Sequence, residues 1–244
     1  MRAAGEVTVV RPTGAGRHQC WAFTERAGFL DRARAFLAEG RAAGEQRWLV
    51  GADLAGLDGV PALPGFDPAA ATGAALAAGF TGLRVVVDAT LLVRSRADFA
   101  AYEHLVDRAA ADHPFSALCG YDRRVLDSAA VAELACLHGT HNVADVPFRL
   151  HGTAGPGAVA LSGELDGAGS GLLARALDRA APPVVDGEVV VDGAALEFID
   201  HRSLLRLADY ARGRGATAVL RTPLPAAARL ADLLRVPGVR VEAR

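Results

Sequence analysis

The chain of 244 residues contains no lysine, so all 26 of its basic residues are arginine. Without lysine it cannot build a phosphate loop of the Gly-x-x-x-x-Gly-Lys-Ser/Thr type, whose lysine reaches the nucleotide phosphates. After the apolar run ending at Val50 the residues are Gly51-Ala52-Asp53-Leu54-Ala55-Gly56-Leu57, which argues against nucleotide hydrolysis by that machinery. Cysteine is scarce. Cys20, Cys119 and Cys136 make no disulfide framework and fit a reducing compartment. A formal net charge of -2 provides no long basic stripe, which argues against direct nucleic-acid binding. Long hydrophobic runs are missing too. The run from Leu83 to Val93 is broken by Arg84 and Asp88, so no membrane span is expected. Met1 to Arg11 is too short and polar to read as a signal peptide, and the expected location is the cytoplasm.

Apolar residues make up 51% of the chain, enough for real cores and far from a disordered profile. Its length suits one large domain or two ordinary ones. From Arg26 to Glu39, Phe29, Leu30, Ala33, Phe36 and Leu37 follow the spacing of a one-sided helix, with Gly40 as its expected end. Arg47–Val50, Leu83–Val87 and Phe115–Cys119 read as buried strands. Gly51 to Pro68 reads as loop, and 97–112 and 128–138 as helices. Asp127 or Ser128 would cap the second helix, and Tyr121-Asp122-Arg123 is expected in a turn. Continuous apolar strands alternating with helices predict a parallel sheet covered on both faces.

Pro147 marks a change of pattern. Beyond it the order is two strands (147–150, 158–161), helix (172–181), strand (188–191), helix (203–212), strand (217–220), helix (226–234) and a short last strand (239–241). The expected division is therefore 1–146 and 147–244, each an α/β domain.

Three segments of the first half carry chemistry. They are His18-Gln19-Cys20, Leu118-Cys119-Gly120-Tyr121-Asp122 after a strand, and His138 after the following helix. Together, over about residues 14 to 142, they resemble the MEDS family, the methanogen/methylotroph and DcmR-type sensory domain. That resemblance implies a RecA/KaiC-like fold and a small organic ligand contacted by His18, Cys20, Arg84, Cys119, Tyr121 and His138. The residue types also suit zinc or iron. The ligands come as one close pair and two isolated residues, however, so no metal is assigned and the cofactor is left open. The plainer alternative is a buried cysteine pair with a satisfied histidine.

In the second half, Leu161-Ser162-Gly163-Glu164-Leu165-Asp166 and Phe198-Ile199-Asp200-His201-Arg202-Ser203 resemble the two motifs of the STAS family of anti-sigma-factor antagonists. The resemblance implies a small α/β domain that docks an anti-sigma factor or kinase-like partner through Asp166, Asp200, His201, Arg202 and Ser203. In that family a serine following the aspartate accepts phosphate; here His201 takes its place and Ser203 stands where a glycine is usual. Ser203 is a displaced candidate acceptor, and the plainer reading is that Asp200 or Ser203 caps the helix.

These observations predict a cytoplasmic sensor and regulator, not an enzyme. Its first half would bind a small molecule and its second half a protein, without the usual phosphoserine switch. The alternatives are an enzyme using a His18/Cys20/Cys119 cleft and a scaffold with no ligand.

Overall fold

In the computed structural model, residues 17–51, 54–62, 65–94, 96–144, 146–153 and 159–243 are described, without the side chains of 94, 96–101 and 104. They form two six-stranded sheets. The first contains β1 (His18–Phe23), β2 (Gln46–Val50), β3 (Val60–Ala62), β4 (Leu83–Asp88), β5 (Phe115–Asp122) and β6 (Thr140–His141). Its order is β3-β2-β4-β5-β1-β6, and every pairing is parallel.

Side chains alternate across a strand, so this sheet has two distinct faces. One face packs Phe23, Val86 and Leu118 against Phe29, Ala33, Phe36 and Leu37 of α1 (Arg26–Ala43). Gly120 lies on this face, where an added Cβ would stand 2.4 Å from the Phe29 ring. The other face carries Val85, Val87, Cys20, Cys119 and Tyr121 in a separate core. α2 (Pro68–Ala77), α3 (Arg96–Asp112) and α4 (Ser128–Cys136) cover it. The expected parallel sheet with both faces covered is what forms.

Several boundaries differ from expectation. Gly40 does not end α1; it is buried within it, and the helix stops at Gly44, whose φ of 76° is the left-handed conformation glycine adopts freely. The segment expected as loop contains β3. α2, absent from the sequence reading, begins under the cap of Asp67, which accepts from the Ala69 and Ala70 N–H groups. Tyr121 and Asp122 continue β5, and the turn starts one residue later. Asp127 is the cap of α4.

The second sheet is mixed. β7 (Phe148–Gly152) runs antiparallel to β8 (Val159–Leu165), and the rest is parallel in the order β10-β8-β9-β11-β12. Its further elements are α5 (Ser170–Ala180), β9 (Glu188–Asp192), β10 (Leu196–Ile199), α6 (His201–Arg212), β11 (Thr217–Thr222), α7 (Pro225–Leu234) and β12 (Val239–Ala243). β10 was not foreseen: only its two ends, Leu196 and Ile199, are buried. Residues 1–16, with the polar N-terminal segment, and residues 154–158, which include the first residue of the expected strand 158–161, lie outside the described residues.

The two sheets share one hydrophobic core. Buried side chains run without a break from Cys20 and Leu134 through Phe148, Leu150 and Leu173 to Leu220. α3 and α4 pack directly on β7 and α5. At this junction the buried Glu133 of α4 is ion-paired with Arg175 and Arg179 of α5.

Candidate functional site

β1 and β5 are parallel neighbours in the register His18↔Ala117 and Cys20↔Cys119. The period of two therefore puts His18, Cys20, Cys119 and Tyr121 on one face, under α3 and the end of α4. His138 reaches the same spot from just beyond α4, its ring centroid 4.1 Å from that of His18. Four of the residues predicted as one site thus meet with Cys20 beside them. Arg84 is the exception. Even-numbered positions of β4 face α1, and there the Arg84 guanidinium pairs with Glu45 (2.5 Å) and Glu39 (2.9 Å) and lies over Phe36.

Two acids of α3, Glu103 and Asp107, complete the group; sequence reasoning missed both. They are one helical turn apart on the face that also buries Val106 and Ala110. The available signal was an apolar helical stripe interrupted by two carboxylates, since unpaired acids are rarely buried. Glu103 Oε2 lies 3.2 Å from His18 Nε2 and 3.1 Å from His138 Nε2, and Glu103 Oε1 accepts from the Tyr121 hydroxyl at 3.0 Å. Cys119 Sγ is 3.5 Å from His18 Nε2.

Each imidazole is held from behind. His18 Nδ1 is 2.7 Å from Asp107 Oδ1, and His138 Nδ1 is 2.7 Å from the Leu134 carbonyl. A carbonyl only accepts, so His138 Nδ1 carries the hydrogen and a neutral ring presents its Nε2 lone pair to the group.

His18, Glu103, Cys119 and His138 are each no more than 2% exposed, so their charges are set by one another. Burial opposes a charge on His18, but Glu103, Asp107 and Cys119 outweigh it and hold its pKa well above the usual value. Burial lowers His138 to about 4 against the pull of Glu103. Glu103 sits below the usual range because the two histidines outweigh its burial. Burial pushes the thiols of Cys20 and Cys119 up.

The predicted docking residues lie in the second sheet. β8 and β10 are parallel neighbours in the register Leu165↔Ile199, which brings Asp166 and Asp200 to adjacent strand ends. Asp166 is exposed, and its side chain accepts the N–H groups of Ala168 and Gly169. Gly167 lies against Asp200 and Arg202. His201 and Arg202 are exposed, beside the exposed apolar side chains of Phe198 and Leu205. Asp200 caps α6 by accepting the Ser203 N–H at 2.8 Å. Ser203 is fully buried, so it does not belong to that surface. In the first motif, Gly163 has a φ of 88°, and a Cβ there would lie 2.3 Å from the Pro147 carbonyl oxygen. Only glycine fits this position.

The fold and the buried group define a two-sheet α/β protein with a sealed His/Cys/carboxylate centre. Comparison with known families adds that residues 62–139 match the family model MEDS, the methanogen/methylotroph, DcmR sensory domain. The matched span contains Glu103, Asp107, Cys119, Tyr121 and His138, and suggests a sensor or regulatory role. No curated protein and no solved structure is significantly similar to the chain. Among the described residues no helix is long and apolar enough to cross a membrane.

Proposed function

We propose that the chain is a cytoplasmic sensor and regulator in which the buried centre receives the signal and the second sheet delivers it to a protein partner. The observation that carries this reading is that the sensory-family match spans Cys119, Tyr121 and His138, three of the four motif residues that converge, with His18 the fourth, at one buried spot. An all-parallel sheet with helices on both faces agrees with a RecA/KaiC-like sensory domain. The antiparallel β7–β8 pair, the adjacent Asp166 and Asp200 and the glycine-only position at Gly163 support a STAS-like second domain over 147–244. Its partner would be an anti-sigma factor or kinase-like protein, met by Asp166, Asp200, His201 and Arg202.

A sensor is favoured over an enzyme by the state of the thiols. Nucleophilic cysteines need a lowered pKa and access, whereas Cys20 and Cys119 are buried and raised. A route for the signal exists as well. Asp107 touches His18 with one oxygen and the Gly152 N–H of β7 with the other. The test is thermal unfolding of the full chain with methanol, methylamine and dichloromethane, one-carbon compounds suggested by the methylotroph family. A rise in Tm that is lost in His138→Gln is the expected result; no response to any of the three counts against a one-carbon signal at this centre.

A further inference from the structure

The donor atoms of the buried centre are His18 Nε2, His138 Nε2, Cys119 Sγ and one carboxylate oxygen of Glu103, all within 4.8 Å of one another. We propose that these four residues bind a single divalent transition-metal ion of the zinc class, a deeper reading of the centre interpreted above as sensory, on which it rests for location alone.

The separations fit such an ion. Zinc–ligand bonds of about 2.0–2.3 Å in a tetrahedron place the donors roughly 3.3–3.7 Å apart. Here the carboxylate oxygen stands 3.1 and 3.2 Å from the two imidazole nitrogens, and sulfur stands 3.5 Å from one of them. The two short edges need to lengthen by only about 0.2 Å and the sulfur edge already fits, while the remaining separations, all within 4.8 Å, close by up to roughly an ångström on coordination.

The hydrogen bonds fit better with an ion than without. His138 Nδ1 donates to the Leu134 carbonyl, so in the neutral ring its Nε2 is a lone pair, and it lies 3.1 Å from Glu103 Oε2. Two acceptors face each other across 3.1 Å, and Glu103 Oε2, wholly buried, makes no hydrogen bond. Leaving such a group unpaired is costly in a protein interior. A cation between the lone pairs removes the conflict.

The outer contacts have the same character. Metal-bound histidines characteristically donate their second ring N–H to a carboxylate or a backbone carbonyl, which fixes the tautomer and aims the ligating nitrogen. His18 has the carboxylate, Asp107, and His138 the carbonyl, Leu134. The phenol of Tyr121 holds the other Glu103 oxygen. Charge closes as well: a dication with the Cys119 thiolate and the Glu103 carboxylate is neutral, which suits full burial. On binding, the Cys119 S–H bond and the Nε2–H bond of protonated His18 break, the sulfur and the nitrogen bond to the metal, and both protons pass to solvent. Two borderline imidazoles with one soft thiolate and one hard carboxylate make a mixed set matched to zinc and to cobalt(II) as its spectroscopic substitute.

The test uses the full chain. Elemental analysis of purified protein after dialysis should find one zinc per chain. After chelator treatment, cobalt(II) titration should saturate at one ion and give a thiolate-to-cobalt charge-transfer band with intense visible bands of tetrahedral cobalt. Cys119→Ser should abolish the charge-transfer band, and Cys136→Ser should keep it. Absence of stoichiometric metal together with absence of a cobalt spectrum overturns the inference. So does a charge-transfer band that survives Cys119→Ser. Should Cys119→Ser not fold, elemental analysis and the cobalt spectrum of the unaltered chain still decide. A chain that binds no metal yet responds to a one-carbon compound defeats this inference and leaves the sensory reading standing; a metal-loaded chain with no such response does the reverse.

Discussion

His18 and Asp107 are joined through Nδ1 and Oδ1 at 2.7 Å, and the second oxygen of that carboxylate accepts the Gly152 N–H at 2.8 Å. One buried side chain thus ties the centre of the first sheet to the first strand of the second. Asp107→Asn should destabilise the full chain by about 1.5–3 kcal/mol, the range for a hydrogen bond to a charged group. Hydrogen exchange should quicken across 148–153 in particular. Unchanged protection there would mean that the tie does not hold the strand.

The Glu133 pair with Arg179 closes the same junction from α4. Arg179→Ala leaves a buried carboxylate with only the half-exposed Arg175, and should cost about 1–3 kcal/mol, below the full value for breaking a buried pair. We further expect the segment 147–244, which holds a complete sheet with its helices, to unfold cooperatively by itself but at a lower temperature than in the full chain. Denaturation without a cooperative transition would remove the division at Pro147.

Nucleotide chemistry should be missing. The chain has no lysine, and Asp88, the acid at the end of β4, is bonded to Arg26 at 2.9 Å. Neither ATP hydrolysis nor magnesium-dependent ATP binding in the micromolar range is expected by calorimetry. Such binding, if it disappeared in Asp88→Asn, would contradict this.

Acid should weaken the junction through His151. Burial lowers the pKa of this ring, Asp107 opposes the shift and Arg149 adds to it, so the folded-state value lies below the ordinary 6.5. The unfolded chain therefore takes up this proton first. The contribution of His151 to stability is complete above about pH 6.5 and is lost as pH falls below it, until the folded ring also protonates. Tm measured from pH 7.5 downward should decline less steeply in His151→Gln than in the unaltered chain. Equal slopes would place the acid sensitivity elsewhere, with His141, also lowered by burial, the next ring to replace.

Phosphate should not be accepted at the start of α6. His201 offers an imidazole, and Ser203 is buried with its N–H held by Asp200. Mass spectrometry after incubation with serine/threonine kinases of the anti-sigma type should find residues 201 and 203 unmodified. Stoichiometric phosphate on Ser203 would show that the first turn of α6 opens readily.

Much of this arrangement was legible because period and register are local. Strands such as Leu83–Asp88 and Phe115–Asp122 announce themselves by their mostly apolar character, and two-residue spacing places His18 and Cys20 on one face. The partnership of that pair with Cys119 depends on which strands adjoin, a non-local fact. Arg84 shows how this misleads: its strand lies beside β5, but its parity turns it to the α1 side. Glu103 and Asp107 were hidden for another reason, since acids on a helix ordinarily face water. β10 and α2 escaped because one is short and half-exposed and the other is alanine-rich, with little contrast between its faces.

Every donor at the buried centre stands on or directly beside a strand or helix, and none is open to water. For the occupant proposed above, entry and exit would require a covering element such as α3 to open, so exchange would be timed by the opening of the protein and not by diffusion. A receptor of the kind proposed would therefore respond slowly and forget slowly, its occupancy at any moment recording past exposure, closer to a latch than to a gauge.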